Sequence, residues 1–305
     1  MGFSVLMYAE VGCFTSLRSG FFVRKSCRNQ FMTSFAIGDV QGCFHSFQAL
    51  LHKIEFNSDR DHLIFAGDII NGGAHSLEMA KWIIDHSGGV SAVLGNHDIH
   101  FLGVCEGVQS LGGRDTLKAL LDSTVAEDFR EWLLKQCFFK KWESWSLSHA
   151  GILPEWTLAE AETQSDRLME TLRGNQRSTF LESYRKPFPL LLKDVQSNEE
   201  HQRFTLSAFT RMRACEPDGS LNFSFNGLLK DLPDSLVPWF RARENTSETP
   251  IVFGHWAALG NHTENHCYGI DSGCVWGNGL TAFNLETKER ITVPTKKADI
   301  VSVSS

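Results

Sequence analysis

Residues 35–43 read Phe35-Ala36-Ile37-Gly38-Asp39-Val40-Gln41-Gly42-Cys43, an apolar run that stops on a glycine and delivers a carboxylate into a loop. An apolar run bounded by glycine marks an interior strand. Gly38 and Gly42 let the backbone turn closely around Asp39. The pattern recurs along the chain. Asp61–Ala66 runs into Gly67-Asp68, Val90–Leu94 into Gly95-Asn96-His97-Asp98, and Ile251-Val252-Phe253 into Gly254-His255. A looser copy takes Trp145-Ser146-Leu147 into Ser148-His149-Ala150-Gly151. Each ends on a residue able to bind a metal. Strand ends of an open α/β sheet gather on one rim, where such sheets hold ligands.

Asp39, Asp68 and Asn96 are spaced by 29 and 28 residues. That is the length of one β-α-β unit and predicts parallel neighbours. Phe44, Phe47, Leu50, Leu51 and Ile54 recur at helical spacing, as do Leu77, Ala80, Ile83 and Ile84. Leu117, Leu120, Phe129, Trp132 and Leu133 predict further helix between Asp115 and Gln136, and Pro154 to about Leu172 reads as another. Residues 173–249 hold five prolines and no repeated motif. The span 154–249 therefore reads as a helical or irregular insertion over the site, where substrate choice is commonly made. Strands return around 250–253, 268–273 and 279–283.

The chain of 305 residues is 42% apolar and carries a net charge of −7. It can bury a sizeable core, and the charge speaks against a sequence-independent grip on long nucleic acid. No apolar run approaches a membrane span. Eight cysteines without a CxxC pair read as reduced thiols in a reducing compartment, which suits the cytoplasm. Residues 1–31 are basic and set apart; they read as a leader preceding a start at Met32, with an organelle transit peptide as the alternative. Residues 32–293 form the expected domain, followed by a flexible tail, 294–305.

Two aspartates, an asparagine and two histidines at five strand ends suggest a dinuclear centre. Oxygen and imidazole donors without thiolate suit Mn²⁺, Mg²⁺, Co²⁺, Fe or Zn²⁺. Such a pair clamps a phosphoryl group and activates water, and needs a bridging carboxylate, for which Asp68 is the central candidate.

Gly38-Asp39-x-x-Gly42, Gly67-Asp68, Gly95-Asn96-His97-Asp98, His149-Ala150-Gly151 and Gly254-His255 together resemble the calcineurin-like metallophosphoesterases. Leu94–His100, Ser148–Ile152, Ala208–Arg213, Phe253–Ala257 and Asp271–Gly277 are similar to the symmetrical bis(5′-nucleosyl)-tetraphosphatase branch. The resemblance spans about Met32 to Val293. It implies an α/β four-layer sandwich, two packed mixed β-sheets flanked by helices. It further implies attack of hydroxide held by two divalent ions, Mn²⁺ or Co²⁺ foremost, on diadenosine tetraphosphate to give two ADP. Asp39 and Gln41 would hold the first ion, Asp68 would bridge, and Asn96, His149 and His255 would hold the second. His97 would be the general acid, with Asp98 orienting it. Arg211 and Arg213 would grip the polyphosphate. Trp256 would stack on a base or wall the site. Nucleotide-capped RNA ends belong to the implied substrate class.

Two positions depart from the family pattern. Gln41 stands where the superfamily commonly has His, and Gly72 where it usually has Arg. A lost guanidinium–phosphate contact, worth roughly 1.5–3 kcal/mol, would slow turnover about ten- to a hundredfold unless His75, Arg211 or Arg213 compensates. On that reasoning Gly72→Arg is expected to raise kcat/KM. The competing functions are a phosphoprotein phosphatase on the same scaffold and a binder of dinucleoside polyphosphates without turnover.

Overall fold

A computed structural model describes residues 33–243 and 249–301. Residues 1–31, set apart above as a leader, lie outside the described residues. The strands in chain order are β1 (Ser34–Ile37), β2 (His62–Phe65), β3 (Val90–Ala92), β4 (Phe139–Trp142), β5 (Trp145–Ser148), β6 (Ala214–Cys215), β7 (Leu221–Asn222), β8 (Val237–Pro238), β9 (Ile251–Phe253), β10 (His262–Glu264), β11 (Cys267–Gly269), β12 (Leu280–Asn284) and β13 (Arg290–Val293). The helices are α1 (Phe44–Lys53), α2 (Ser76–Asp85), α3 (Asn96–Cys105), α4 (Lys118–Leu121), α5 (Val125–Leu133), α6 (Leu158–Arg173), α7 (Arg177–Ser183), α8 (Asn198–Arg211) and α9 (Trp239–Ala242).

Two mixed five-stranded sheets are built in the orders β13-β12-β1-β2-β3 and β10-β11-β9-β5-β4. β1, β2 and β3 are parallel, as their spacing predicts, and β5 is parallel to β9. Alternation along the strands explains the layering. Ala36 lies opposite Ile64 on one side and Phe283 on the other, and Leu147 lies opposite Val252. These five share one apolar cluster with Val93, Trp145 and Ile270, formed by the faces the two sheets turn toward each other. Phe35, Ile37, Leu63, Phe65, Ile251 and Phe253 belong to the other cluster, together with Phe47, Leu50, Met79 and Ile83 of the covering helices. Both faces are dry, so the strands read as continuous apolar runs.

The insertion is more ordered than its sequence suggests. α8 spans fourteen residues, and Phe204 through Thr210 are all buried, so no polar face marks its second half as a helix. β6, β7 and β8 form a small sheet of two-residue strands, too short to leave a period. Two capping boxes are legible: Thr157 with Glu160 opens α6, and Ser197 with Glu200 opens α8.

The segment expected to be a flexible tail from 294 onward is held against α1 as far as Asp299, and the described residues end at Val301. Asp299 is fully buried and accepts from the backbone N–H of His45 at 3.0 Å and of Ser46 at 2.8 Å. α1 has no side-chain cap from Cys43, so a carboxylate some 250 residues away fills that role. Sequence distance hides such a cap.

Candidate active site

The loops after β1, β2 and β3 come from one sheet and those after β5 and β9 from the other, so the site straddles the ends of two sheets rather than one rim. Close approach of backbone makes this work. A Cβ on Gly254 would stand 2.1 Å from Asp39 Oδ1, and one on Gly95 would stand 2.1 Å from Asp68 Oδ1. Only glycine leaves room for these carboxylates. Gln41, Asp68 and His255 themselves adopt left-handed backbone, at φ 47°, 47° and 64°. Such geometry is strained for residues with a side chain, and it clusters at functional sites.

Asp39, Asp68 and His149 are buried, and one ligand atom each of Asp68, His149 and His255 lies within 4.8 Å of the others. His149 Nδ1 donates to Ala66 O at 2.7 Å, leaving Nε2 facing Asp68 Oδ2 at 3.5 Å. That Nε2 is buried and has no hydrogen-bond partner. His255 Nε2 bonds Arg211 O at 3.1 Å, which turns Nδ1 toward the Asn96 amide at 3.2 Å. Both imidazoles are thus fixed by a backbone carbonyl with their other nitrogen aimed inward, the way metal-binding histidines are held. Asp39 accepts from His255 N, with its two oxygens at 3.1 and 3.2 Å. Gln41 Nε2 reaches Asp68 Oδ2 at 3.5 Å.

The electrostatics describe a site short of positive charge. Burial, reinforced by Asp271, pushes Asp39 well above the usual carboxylate range. Burial pushes Asp271 up to about 6. Burial also opposes the charge on Asp68, but His149 and His97 overcome it and hold that carboxyl well below its usual range. For His149 burial disfavours the cation, yet Asp68 and Asp39 prevail and hold it up at about 10. His255 is driven well below its ordinary value by burial, then by Arg213 and His149. Buried carboxylates beside two inward-facing imidazoles fit divalent cations with oxygen and nitrogen preference.

The candidate ligands Asp39, Gln41, Asp68, Asn96, His149 and His255 come together here, with His97 beside them, whereas Asp98 is turned to other work. Asp98 turns to the backbone. Its carboxylate accepts from the N–H groups of Asp68 at 2.9 Å, Ile69 at 3.2 Å and Gly95 at 2.9 Å, and so ties the second loop to the third. As the third residue of α3 it points back across the helix start, an arrangement the Asn-His-Asp order alone does not reveal. His97 sits at the mouth, its side chain 31% exposed and Nε2 3.9 Å from Asp68 Oδ2. Trp256 is 2% exposed, donates Nε1 to Gly227 O at 3.0 Å and meets Phe225 edge-on. It walls the site and has no free face for a base.

Arg213 Nη2 donates to His255 O at 3.3 Å, and its buried Nε has no partner. Arg211 lies over the Phe223 ring at 4.7 Å. Gly72 has φ +109°, and a Cβ there would be 3.1 Å from Val275 Cγ2 and 3.3 Å from Gln41 Oε1. An arginine at 72 therefore carries backbone strain that its sequence position does not disclose, and the expected gain from Gly72→Arg loses its simple basis. The reading from sequence leaves out Asp271, which is 4% exposed and acts on Asp39. The signal was present: Tyr268-Gly269-Ile270 runs into Asp271-Ser272-Gly273, the same strand-then-ligand pattern as the other loops.

The calcineurin-like phosphoesterase family profile matches residues 32–209. A protein of Methylobacillus flagellatus named bis(5′-nucleosyl)-tetraphosphatase, symmetrical, is 37% identical over 269 residues, 88% of this chain and 97% of the relative. Proteins of the same name from Nitrosomonas europaea and Vibrio cholerae are 39% and 38% identical, covering 86% and 84% of this chain and 98% and 96% of theirs. A crystal structure described as that of a candidate diadenosine tetraphosphatase superposes with a TM-score of 0.59 at 21% identity, covering 88% of this chain and 96% of the other. A serine/threonine phosphatase of Saccharomyces cerevisiae superposes with a TM-score of 0.52 at 12% identity, covering 91% and 84%. At those identities the two superpositions speak to fold alone.

Proposed function

This chain belongs to the calcineurin-like phosphoesterases, and from that premise we propose that it is a divalent-metal-dependent hydrolase of dinucleoside polyphosphates, cleaving diadenosine tetraphosphate symmetrically to two ADP. One observation carries the chemistry: two imidazoles, the buried His149 and the half-buried His255, are each locked by a backbone carbonyl and aim a nitrogen at the carboxylate cluster around Asp68. The likeness over most of the chain to relatives bearing that name supports the substrate class.

Asp39 and Gln41 would hold one ion, Asp68 both, and Asn96, His149 and His255 the other; the donor set suits Mn²⁺, Co²⁺, Mg²⁺, Fe or Zn²⁺, and the family resemblance puts Mn²⁺ or Co²⁺ first. When bound, the ions supply Lewis acidity and an activated water. Arg211 and Arg213 bind the polyphosphate, forked donors suiting its oxygens. His97 gives its proton to the departing phosphate oxygen, so that water adds across the central anhydride and both products leave as ADP. Asp98 acts through the backbone of Asp68, keeping that carboxylate in register with α3. Among the described residues no helix is long and apolar enough to cross a membrane. The six described cysteines are free, which suits a reducing compartment such as the cytoplasm.

The test is incubation of the purified protein with diadenosine tetraphosphate, a nucleotide-capped RNA and a phosphopeptide panel, each with Mn²⁺, Co²⁺, Mg²⁺ and Zn²⁺. Two ADP is the expected product. AMP plus ATP, tight binding without turnover, or faster phosphopeptide turnover would each overturn the proposal.

A further inference from the structure

The polar groups described above address phosphate. None addresses the nucleobases that distinguish a dinucleoside polyphosphate from inorganic polyphosphate. Trp256, the tryptophan singled out by sequence, is walled in. Another tryptophan in the same set of motifs is not. Trp276 is 72% exposed, and it is the one aromatic among the exposed large hydrophobic side chains of the described residues.

A lone exposed hydrophobic side chain is ordinary on a protein surface. The support beneath this one is not. Trp276 ends a single 3₁₀ turn, Cys274–Trp276, bounded by Gly273 at φ 71° and Gly277 at φ 87°, both in the left-handed region. Trp276 N donates to Gly273 O at 3.0 Å, Thr295 Oγ1 donates to Cys274 O at 2.9 Å, and Cys274 is buried. The turn is therefore held while the indole it carries stays in water. Its position is equally specific. Gly273 N donates to Asp271 Oδ1 at 2.9 Å, and Asp271 is the carboxylate that acts on Asp39. The Val275 methyl and the Gln41 amide oxygen bracket Gly72, at 3.1 and 3.3 Å from its Cβ position. The Trp276 ring lies 3.5 Å from the Cβ position of Gly273, with Ala257, two residues past His255, at 3.6 Å from the same point.

We propose that Trp276 is the stacking platform for one nucleobase of the dinucleoside polyphosphate, a specificity determinant at the rim of the metal-binding cluster. A rigid indole with a free face takes any purine or pyrimidine, because every base has a π-face. The proposal rests on the hydrolase reading above for its substrate, but its binding test stands apart from turnover.

The test measures equilibrium binding of ADP and of inorganic pyrophosphate to the Mn²⁺-loaded protein, as wild type, Trp276→Ala and Trp276→Phe. Trp276→Ala is expected to weaken ADP about five- to a hundredfold, the range seen when a stacking aromatic is truncated. Pyrophosphate binding is expected to hold, Trp276→Phe to recover most of the loss, and KM for diadenosine tetraphosphate to follow the ADP affinities. Equal weakening of ADP and pyrophosphate, unchanged ADP affinity in Trp276→Ala, or a Phe variant as weak as Ala would each overturn the proposal. A wild type that binds ADP through Trp276 but releases no ADP from diadenosine tetraphosphate would sink the hydrolase reading and leave the stacking site standing.

Discussion

Gly254→Ala tests whether the close approach of backbone to carboxylate is what builds the centre. The added methyl would sit 2.1 Å from Asp39 Oδ1 and 3.2 Å from its Cγ, where real Cβ contacts stay above 3.0 Å. Asp39 must therefore retreat by roughly 1 Å. It is 3% exposed and cannot swing into water, so the displacement falls on its two hydrogen bonds from His255 N, at 3.1 and 3.2 Å. Overpacking of this kind costs about 1–3 kcal/mol of stability. A misplacement of about 1 Å in a reacting constellation costs on the order of a hundredfold in rate, equivalent to roughly 2.7 kcal/mol. We expect kcat/KM for diadenosine tetraphosphate to fall about a hundredfold and the Mn²⁺ titration midpoint to rise, while Tm in EDTA drops by only a few degrees. Gly88→Ala is the matched control: nothing lies within 4 Å of its Cβ position, so both activity and Tm should hold or Tm rise slightly. Gly254→Ala activity within threefold of wild type, with unchanged Mn²⁺ affinity, would refute the packing argument.

Three further perturbations separate the roles of neighbouring residues. Asp98→Ala removes the acceptor from three buried N–H groups, each costing about 1–3 kcal/mol when left unpaired, so Tm should fall well below that of His97→Ala, measured by calorimetry. His97→Ala should instead keep its Tm and lose about a hundred- to ten-thousandfold in kcat; equal Tm values and matching pH–rate profiles for the two variants would restore a direct Asp98–His97 pairing. Chelation by EDTA should lower Tm and Mn²⁺ restore it, by about 2.7 kcal/mol of stability at a hundred times its Kd, and His149→Ala should shrink that response; a Tm indifferent to EDTA would remove the metal centre. Gly72→Arg should lower Tm through its left-handed backbone, a strain of roughly 1–3 kcal/mol, without raising kcat/KM; a gain in kcat/KM at unchanged Tm would show that the loop relaxes around the new side chain.

The candidate ligands were legible in the sequence because the physics that places them is local. A short apolar run, a glycine and a polar residue suffice to end a strand and turn a side chain outward, and even spacing of Asp39, Asp68 and Asn96 announces parallel repeats. Asp39, Asp68, Asn96, His149 and His255 could all be picked out in that way. What the side chains do once assembled was decided only in three dimensions. Asp98 stands beside His97 in sequence but bonds the backbone of Asp68, since a residue at the third position of a helix faces back over its start. Trp256 and Trp276 are equal as letters; one is sealed under Gly227 and Phe225, the other held in water by a braced turn. Asp299 caps α1 from the far end of the chain, and the second half of α8 is buried on every side, so neither leaves a periodic trace. Chain order records which groups are available. Burial, backbone sign and the meeting of two sheets, set by contacts between residues distant in sequence, determine which of them face one another.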